Sequence, residues 1–317
     1  MSESDTTRNA QRRGGAPVVL LAGGTGGAKL ARGLLDEVGG DLVVIANTGD
    51  DVETYGAYVA PDPDLVTFWL ADAIDERGWG LAGDTFHAMD QLRALGEDVW
   101  FNLGDRDLAI GLHRARRLAD GARLTDTLED LRRAFGVPAR VLPPSDDPLR
   151  TWIKARGAWH GFQGFMIREG GHGPIEDVEL RGAATARPVP EALAAIAAAR
   201  AIVIGPSNPV LSIDPILAVL AEAIDAADAP VVAVSPLVRG DVLKGPTADC
   251  LVWAGRTLDA DGIAAHYGDL IDGLVADDRA SDVPTLQTDV GLNDPEARRR
   301  VARDVLAFAS ALGQPAR

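Results

Sequence analysis

Short apolar runs that break into glycine, proline or asparagine and then turn helical recur along this chain. Val18-Val19-Leu20-Leu21-Ala22 and Leu42-Val43-Val44-Ile45-Ala46 are continuous apolar stretches; Arg200-Ala201-Ile202-Val203-Ile204 and Pro230-Val231-Val232-Ala233-Val234 repeat the pattern later. Apolar runs without alternation describe strands covered on both faces. Apolar positions at helical spacing predict helices over 64–73, 84–95 and 107–119, each opened by an aspartate suited to N-capping, and over 190–199, 213–225, 261–267 and 295–312. Asp126-Thr127-Leu128-Glu129 reads as a capping box ahead of a helix through Leu131 and Phe135. Strands alternating with helices predict an α/β fold with a mostly parallel sheet and helices on both faces. The middle, about 139–186, changes character: 151–156, 157–161 and 162–168 read as short antiparallel strands, a small insertion on that sheet. The division expected is a disordered polar tail over 1–16 and a single α/β domain over 17–317 carrying that insertion.

The loops after the strand-like runs hold the candidate chemistry, because ligands of open α/β sheets sit beyond the carboxyl ends of the strands. Gly23-Gly24-Thr25-Gly26-Gly27, leading into Lys29, has the layout of a phosphate-binding strand-to-helix turn. It matches neither G-x-G-x-x-G nor the P-loop. The second strand is followed by Asn47-Thr48-Gly49-Asp50-Asp51 and by Pro61-Asp62-Pro63-Asp64, whose carboxylates suit a hard divalent cation, with turn and helix caps as the alternative. Gly205-Pro206-Ser207-Asn208-Pro209, Ser235-Pro236 and Lys244-Gly245-Pro246 offer further polar groups to a phosphate or base. In Gly104-Asp105-Arg106-Asp107 an arginine between two aspartates can be held rigid by them and still present donors to an anion.

Bulk properties narrow the partners. The chain has 317 residues and a formal charge of −16, which argues against nucleic acid as a partner but leaves room for a small nucleotide. The polar start lacks the apolar stretch of a signal peptide, and no run is apolar enough for a membrane helix, so a cytoplasmic protein without a membrane partner is expected. One cysteine, Cys250, excludes an intramolecular disulfide and reads as a small buried residue. His87, His113, His160, His172 and His266 lack zinc spacing, and no G-x-S-x-G elbow is present.

Taken in order, these loops resemble the CofD/FbiA family, the 2-phospho-L-lactate and phosphoenolpyruvate transferases of coenzyme F-420 biosynthesis. Trp79-Gly80-Leu81-Ala82-Gly83-Asp84-Thr85-Phe86, Trp100-Phe101-Asn102-Leu103, Leu142-Pro143-Pro144-Ser145-Asp146-Asp147 and Phe162-Gln163 extend the match, collinear over about 18–270. The resemblance implies a Rossmann-like fold, a homodimer, and a magnesium-dependent transfer of a phosphoenolpyruvyl or 2-phospholactyl group. The donor would be a guanosine diphosphate-linked phospho-acid, the acceptor the deazaflavin Fo, and GMP the product that leaves. It implies that Gly23, Gly24, Thr25, Gly26, Gly27, Lys29, Ser207, Asn208, Ser235 and Lys244 bind the guanosine substrate. Asp50, with Asp51 or Asp64, would hold Mg2+. Asp62, Asn102 and Asp105 would bind substrate, with Asp64 and the Asn102 to Asp107 loop bordering Fo and Trp100 or Phe101 as apolar walls. Asp50, Asp64 and Arg106 are the catalytic candidates. The chain departs from the family pattern at Leu65, at Ile110-Gly111, at Arg239 and over Leu220-Ala221-Glu222-Ala223. A YvcK-like nucleotide-sugar-binding regulator is the alternative; its D-D-G-G-S-S-G motif is replaced here by Asp50-Asp51-Val52-Glu53-Thr54. An NAD-dependent dehydrogenase is disfavoured by the missing dinucleotide fingerprint.

Overall fold

The computed structural model describes residues 15–313. The first strand, β1 (Val18–Ala22), runs into helix α1 (Gly24–Val38) and returns as β2 (Leu42–Ala46). A hairpin, β3 (Val52–Thr54) and β4 (Ala57–Val59), precedes helices α2 (Pro61–Leu70), α3 (His87–Ala94), α4 (Asp105–Ala119) and α5 (Leu124–Ala134), then strand β5 (Arg140–Leu142). Next come β6 (Arg150–Ala155), β7 (Ala158–Gly161), α6 (Phe162–Ile167) and β8 (Ile175–Arg181). The alternation resumes with α7 (Pro190–Ala197), β9 (Ala201–Ile204), α8 (Asp214–Asp225), β10 (Val231–Val234) and the hairpin β11 (Leu237–Val238) with β12 (Asp241–Val242). Helices α9 (Thr247–Trp253) and α10 (Ala260–Tyr267), strands β13 (Gly273–Ala276) and β14 (Thr285–Gln287), and helix α11 (Pro295–Leu312) complete the chain.

Seven parallel strands form the central sheet in the order β14-β13-β10-β9-β1-β2-β5. The chain builds outward from β1 to β2 and β5, then crosses back to β9 and builds the other way. The switch point therefore lies between β1 and β9, where the loops after two neighbouring strands diverge and leave a crevice. The strands are apolar throughout because both faces are covered. Val19 and Leu21 enter one core with Ile202, Ile204, Ile216 and Leu220, while Val18, Leu20 and Ala22 enter the other with Leu30, Leu34, Val301 and Val305. Burying such side chains is worth about 1.5–3 kcal/mol each.

The predicted architecture is present, with local corrections. The strand expected over 162–168 is helix α6; Phe162, Phe165 and Met166 stand at i, i+3 and i+4, a helical spacing. The third antiparallel strand is instead β8, which pairs with the far side of β6. β5 belongs to the central sheet, so the antiparallel insertion begins after it rather than at 139. β13 and β14 were not expected; four and three residues long, they leave almost no pattern to read. Asp126 is not the first residue of a capping box: α5 starts at Leu124, and the Asp126 carboxylate accepts the Arg123 N–H at 3.1 Å. The expected disordered tail lies almost wholly outside the described residues.

Candidate active site

At the switch point the glycine turn after β1 is clamped before any ligand arrives. The Ser207 hydroxyl donates to the Gly23 carbonyl at 2.7 Å and accepts the Gly23 N–H at 3.1 Å. The Gly24 N–H donates to Asp62 Oδ1 at 2.6 Å. Gly24 takes φ +59° with nothing where its Cβ would lie, which an L side chain rarely tolerates. At Gly26 the constraint is protein against protein, since a Cβ there would overlap the Pro206 carbonyl oxygen. Two of the amides expected to meet an anion are thus already engaged. The remaining N–H groups of the first turn of α1 have no partner within the helix and carry its positive dipole end.

Around this turn lies a cavity of about 360 Å³ lined by Gly23, Gly24, Thr25, Gly26, Lys29, Ser207, Asn208, Ser235 and Lys244, with Val238, Val290 and Leu292 as apolar wall. Residues from four separate loops, predicted to share one ligand, therefore meet in one space. Lys29 is half-buried, and its pKa is lowered by that burial and by the nearness of Arg298 and Lys244. Cations crowded at one rim of so acidic a chain favour an anionic ligand. Not every side chain there is free to bind. Asn208 Oδ1 accepts from Val210 and Leu211, capping the wide helical turn over Pro209–Ile213, and its amide donates to Cys250 Sγ at 3.3 Å. Ser235 Oγ accepts the Leu237 N–H. Cys250 is buried as expected, and burial pushes its thiol up to about 12.

On the β2 side of the turn stands an acidic corner. The Asn47 amide donates to Asp50 Oδ1 at 3.3 Å and to Asp62 Oδ2 at 2.9 Å, tying two buried carboxylates to one donor. Burial raises the Asp50 pKa well above its ordinary value, and repulsion from Asp62 and Asp51 adds to it. Asp62 is raised as well, again chiefly by burial. Asp51 accepts from the Tyr58 hydroxyl through Oδ2, but its buried Oδ1 has no partner, and its pKa is pushed up to about 8 by burial. The buried hydroxyls of Thr48 and Thr151 are likewise unpartnered. Asp64, expected among the metal ligands, spends both oxygens on the fully buried Arg114 guanidinium, which also donates to the Tyr58 carbonyl.

Among the described residues no group of three or more His, Cys, Asp or Glu side chains is arranged to hold a metal ion. Magnesium asks for less: one or two protein carboxylates, with water and phosphate oxygens completing its shell. Asp50 and Asp62, buried, mutually repelling and bonded only to uncharged donors beside the turn, fit that requirement, and Asp51 has a free Oδ1, whereas the charge of Asp64 is already met by Arg114.

A second cavity, about 330 Å³, lies beyond the acidic corner, lined by Asp51, Trp100, Arg150, Trp152, Phe162 and Gln163 among others. Trp100 is thus a wall as expected, whereas Phe101 packs into a small core with Val59, Met89 and Leu103. Gln163, buried on α6, donates to the Asp50 carbonyl and to Asp50 Oδ2 at 3.3 and 3.4 Å. Asn47, Arg150 and Gln163 have no role predicted from sequence, although Phe162-Gln163 belongs to the family match; Arg150 and Gln163 reach the site from the insertion, a contact that no local pattern reveals.

The Asn102 to Asp107 loop lines neither cavity. Asp105 accepts the N–H groups of His87 and Ala88 and the Thr85 hydroxyl, capping α3. Asp84 in return accepts the N–H groups of Arg106 and Asp107, capping α4. Asn102 accepts from Arg93, and the exposed Arg106 donates to the Ala82 carbonyl. These residues build the scaffold beside the site.

Comparison with known proteins completes the picture. Residues 18–311 match the family described as 2-phospho-L-lactate transferase CofD. A phosphoenolpyruvate transferase of Kitasatospora aureofaciens is 40% identical, with 92% of this chain and 97% of that protein covered. A 2-phospho-L-lactate transferase of Methanosarcina mazei is 37% identical, over 83% of this chain and 87% of that protein. A crystal structure of a UPF0052-family protein from Bacillus halodurans superposes with a TM-score of 0.60 at 18% identity, covering 92% of this chain and 99% of that one. At that identity the last likeness speaks for the fold alone.

Proposed function

This chain belongs to the CofD family, and we propose that it transfers a phosphoenolpyruvyl or 2-phospholactyl group from a guanosine diphosphate-linked donor to the deazaflavin Fo. The terminal ribityl hydroxyl of Fo attacks the phosphorus bearing the acid, the bond to the nucleotide phosphate breaks, and GMP leaves. The observation that carries this reading is the pair of cavities: one holds the glycine turn and cations, the other aromatic walls, and the acidic corner touches both, Asp62 through its bond to Gly24 and Asp51 as part of the second lining. The first suits a diphosphate with its nucleoside and the second a flat deazaflavin.

Within this reading each residue has a physical task. The first turn of α1, with Lys29 and Lys244, neutralises the diphosphate. Trp100 and Trp152 orient the acceptor, and holding two reactants in line is itself a large share of such catalysis. Asp50 and Asp62 would hold magnesium, which when bound neutralises charge on the transferring phosphoryl group. Asn47 and Gln163 keep Asp50 in place. The proposal also takes the protein to be a homodimer acting in the cytoplasm on small molecules. Among the described residues no helix is long and apolar enough to cross a membrane.

The test is direct. The protein is incubated with Fo, magnesium and each guanylylated phospho-acid in turn, and products are separated and weighed by mass spectrometry. A fluorescent phosphodiester formed in step with GMP is the expected result. Absence of that product with both donors, by a folded protein, would refute the reading.

A further inference from the structure

Among the described residues, Phe162 is the one aromatic side chain that lines both cavities. It opens helix α6 directly after the insertion strand β7, and its ring packs on the small core of Ile153, Phe165, Val210, Leu211 and Cys250. The next residue, Gln163, is tied to the Asp50 carbonyl and carboxylate. One short helix therefore sets an apolar ring at the junction of the cavities and a polar group on the acidic corner. The junction is where the reacting phosphorus and the attacking oxygen have to meet.

We propose that Phe162 is the partition that keeps water from the donor, so that the group passes to the acceptor hydroxyl instead of being hydrolysed. The inference rests on the transfer reading above. Two reactions compete for one phosphorus. In transfer, the acceptor oxygen bonds to it, the bond to the nucleotide phosphate breaks, and the hydroxyl proton is lost. In hydrolysis, a water oxygen takes that place, giving free phospho-acid, GMP and a proton. Both release one GMP, so GMP alone cannot tell them apart. Water at about 55 M outnumbers any dissolved acceptor, so selectivity has to come from exclusion and alignment. An apolar ring shared by both cavities, fixed by a packed core behind it, supplies the exclusion.

The experiment measures the ratio of free phospho-acid to phosphodiester at saturating Fo and magnesium, for the parent, Phe162→Ala, Phe162→Leu and Val178→Ala. Val178 packs on the same small core but lines neither cavity. The parent is expected to give little free acid. Phe162→Ala should raise the ratio at least tenfold and Phe162→Leu about threefold, while Val178→Ala, loosened in the same core, leaves it unchanged. If Phe162→Ala does not fold, Phe162→Leu carries the test, and an unchanged ratio in it overturns the proposal. A rise equal in Val178→Ala also overturns it, since general loosening of the insertion would then be the cause. If the parent forms no phosphodiester with either donor, the transfer reading has failed and this inference with it. Transfer by the parent with an unchanged ratio in folded Phe162 variants sinks the partition alone.

Discussion

Two aspartate-rich corners of this molecule are alike in sequence and opposite in chemistry. The Asp84 and Asp105 carboxylates meet backbone N–H donors, with the Thr85 hydroxyl added at Asp105; each caps the helix that begins beside the other, and these bonds hold Asp105 below the usual carboxylate range. Around Asp50, Asp51 and Asp62 the carboxylates are buried and bonded only to uncharged donors, one of them, the Asn47 amide, shared by two carboxylates, with one Asp51 oxygen left bare, and all three are raised. Burying charge without partners is costly, so a satisfied cluster is a structural device and a starved one is held for something the protein binds. Counting aspartates cannot separate the two; counting donors does.

Asp50→Asn tests the starved corner most severely. The amide keeps the size of the side chain and removes its charge, so the fold should survive and stability should be unchanged or improved. Turnover should fall by about a hundredfold or more, the scale of losing one electrostatic stabiliser in a transition state. Fo affinity, followed by its fluorescence, should stay close to that of the parent, and added magnesium should recover part of the rate. Turnover within threefold of the parent at ordinary magnesium would make Asp50 a turn residue and erase the distinction between the corners.

Asp105→Ala tests the satisfied corner and should do the reverse. Losing the cap of α3 should cost about 1–2 kcal/mol of stability, read as a lower urea midpoint at unchanged slope. Turnover well below the melting temperature should change less than fivefold, because the loop lines neither cavity. A hundredfold loss of rate with intact stability would return this loop to the chemistry that its sequence suggested.

Legibility in the sequence followed the range of the forces involved. The buried strands and amphipathic helices are local patterns, and the crevice follows from their alternation, so the glycine turn, Lys29, Ser207, Ser235 and Lys244 could be brought to one cavity from sequence alone. Polar side chains were harder, because their meaning depends on partners far along the chain. Asp64 reads as a ligand until Arg114 closes on it from 50 residues away. Gly26 reads as room for a ligand until Pro206 fills the space. Gln163 touches Asp50 across 113 residues, through an insertion whose short helix reads as a strand in the sequence.

Asp107 lies between the two corners and gives the finest test of the comparison. It belongs to the capped start of α4, yet burial and the neighbouring Asp64 and Asp84 push it up to about 7, and its Oδ1 has no partner. Arg106 and Arg77 also face it and pull the other way. In the unfolded chain an aspartate loses its proton near pH 4. Between about pH 4 and 7 the native state therefore holds a proton that the unfolded state has released, and stability falls as pH rises through that window before levelling off. Asp107→Asn cannot ionise, so it escapes that loss. Relative to the parent it should gain on the order of 1 kcal/mol between pH 5 and pH 8, a discounted figure for a group that solvent still reaches in part. Urea denaturation of both proteins at the two pH values measures the gain. A parent-to-variant difference that stays constant would mean that Asp107 is ionised and well partnered like Asp105, and the starved corner would be confined to Asp50, Asp51 and Asp62.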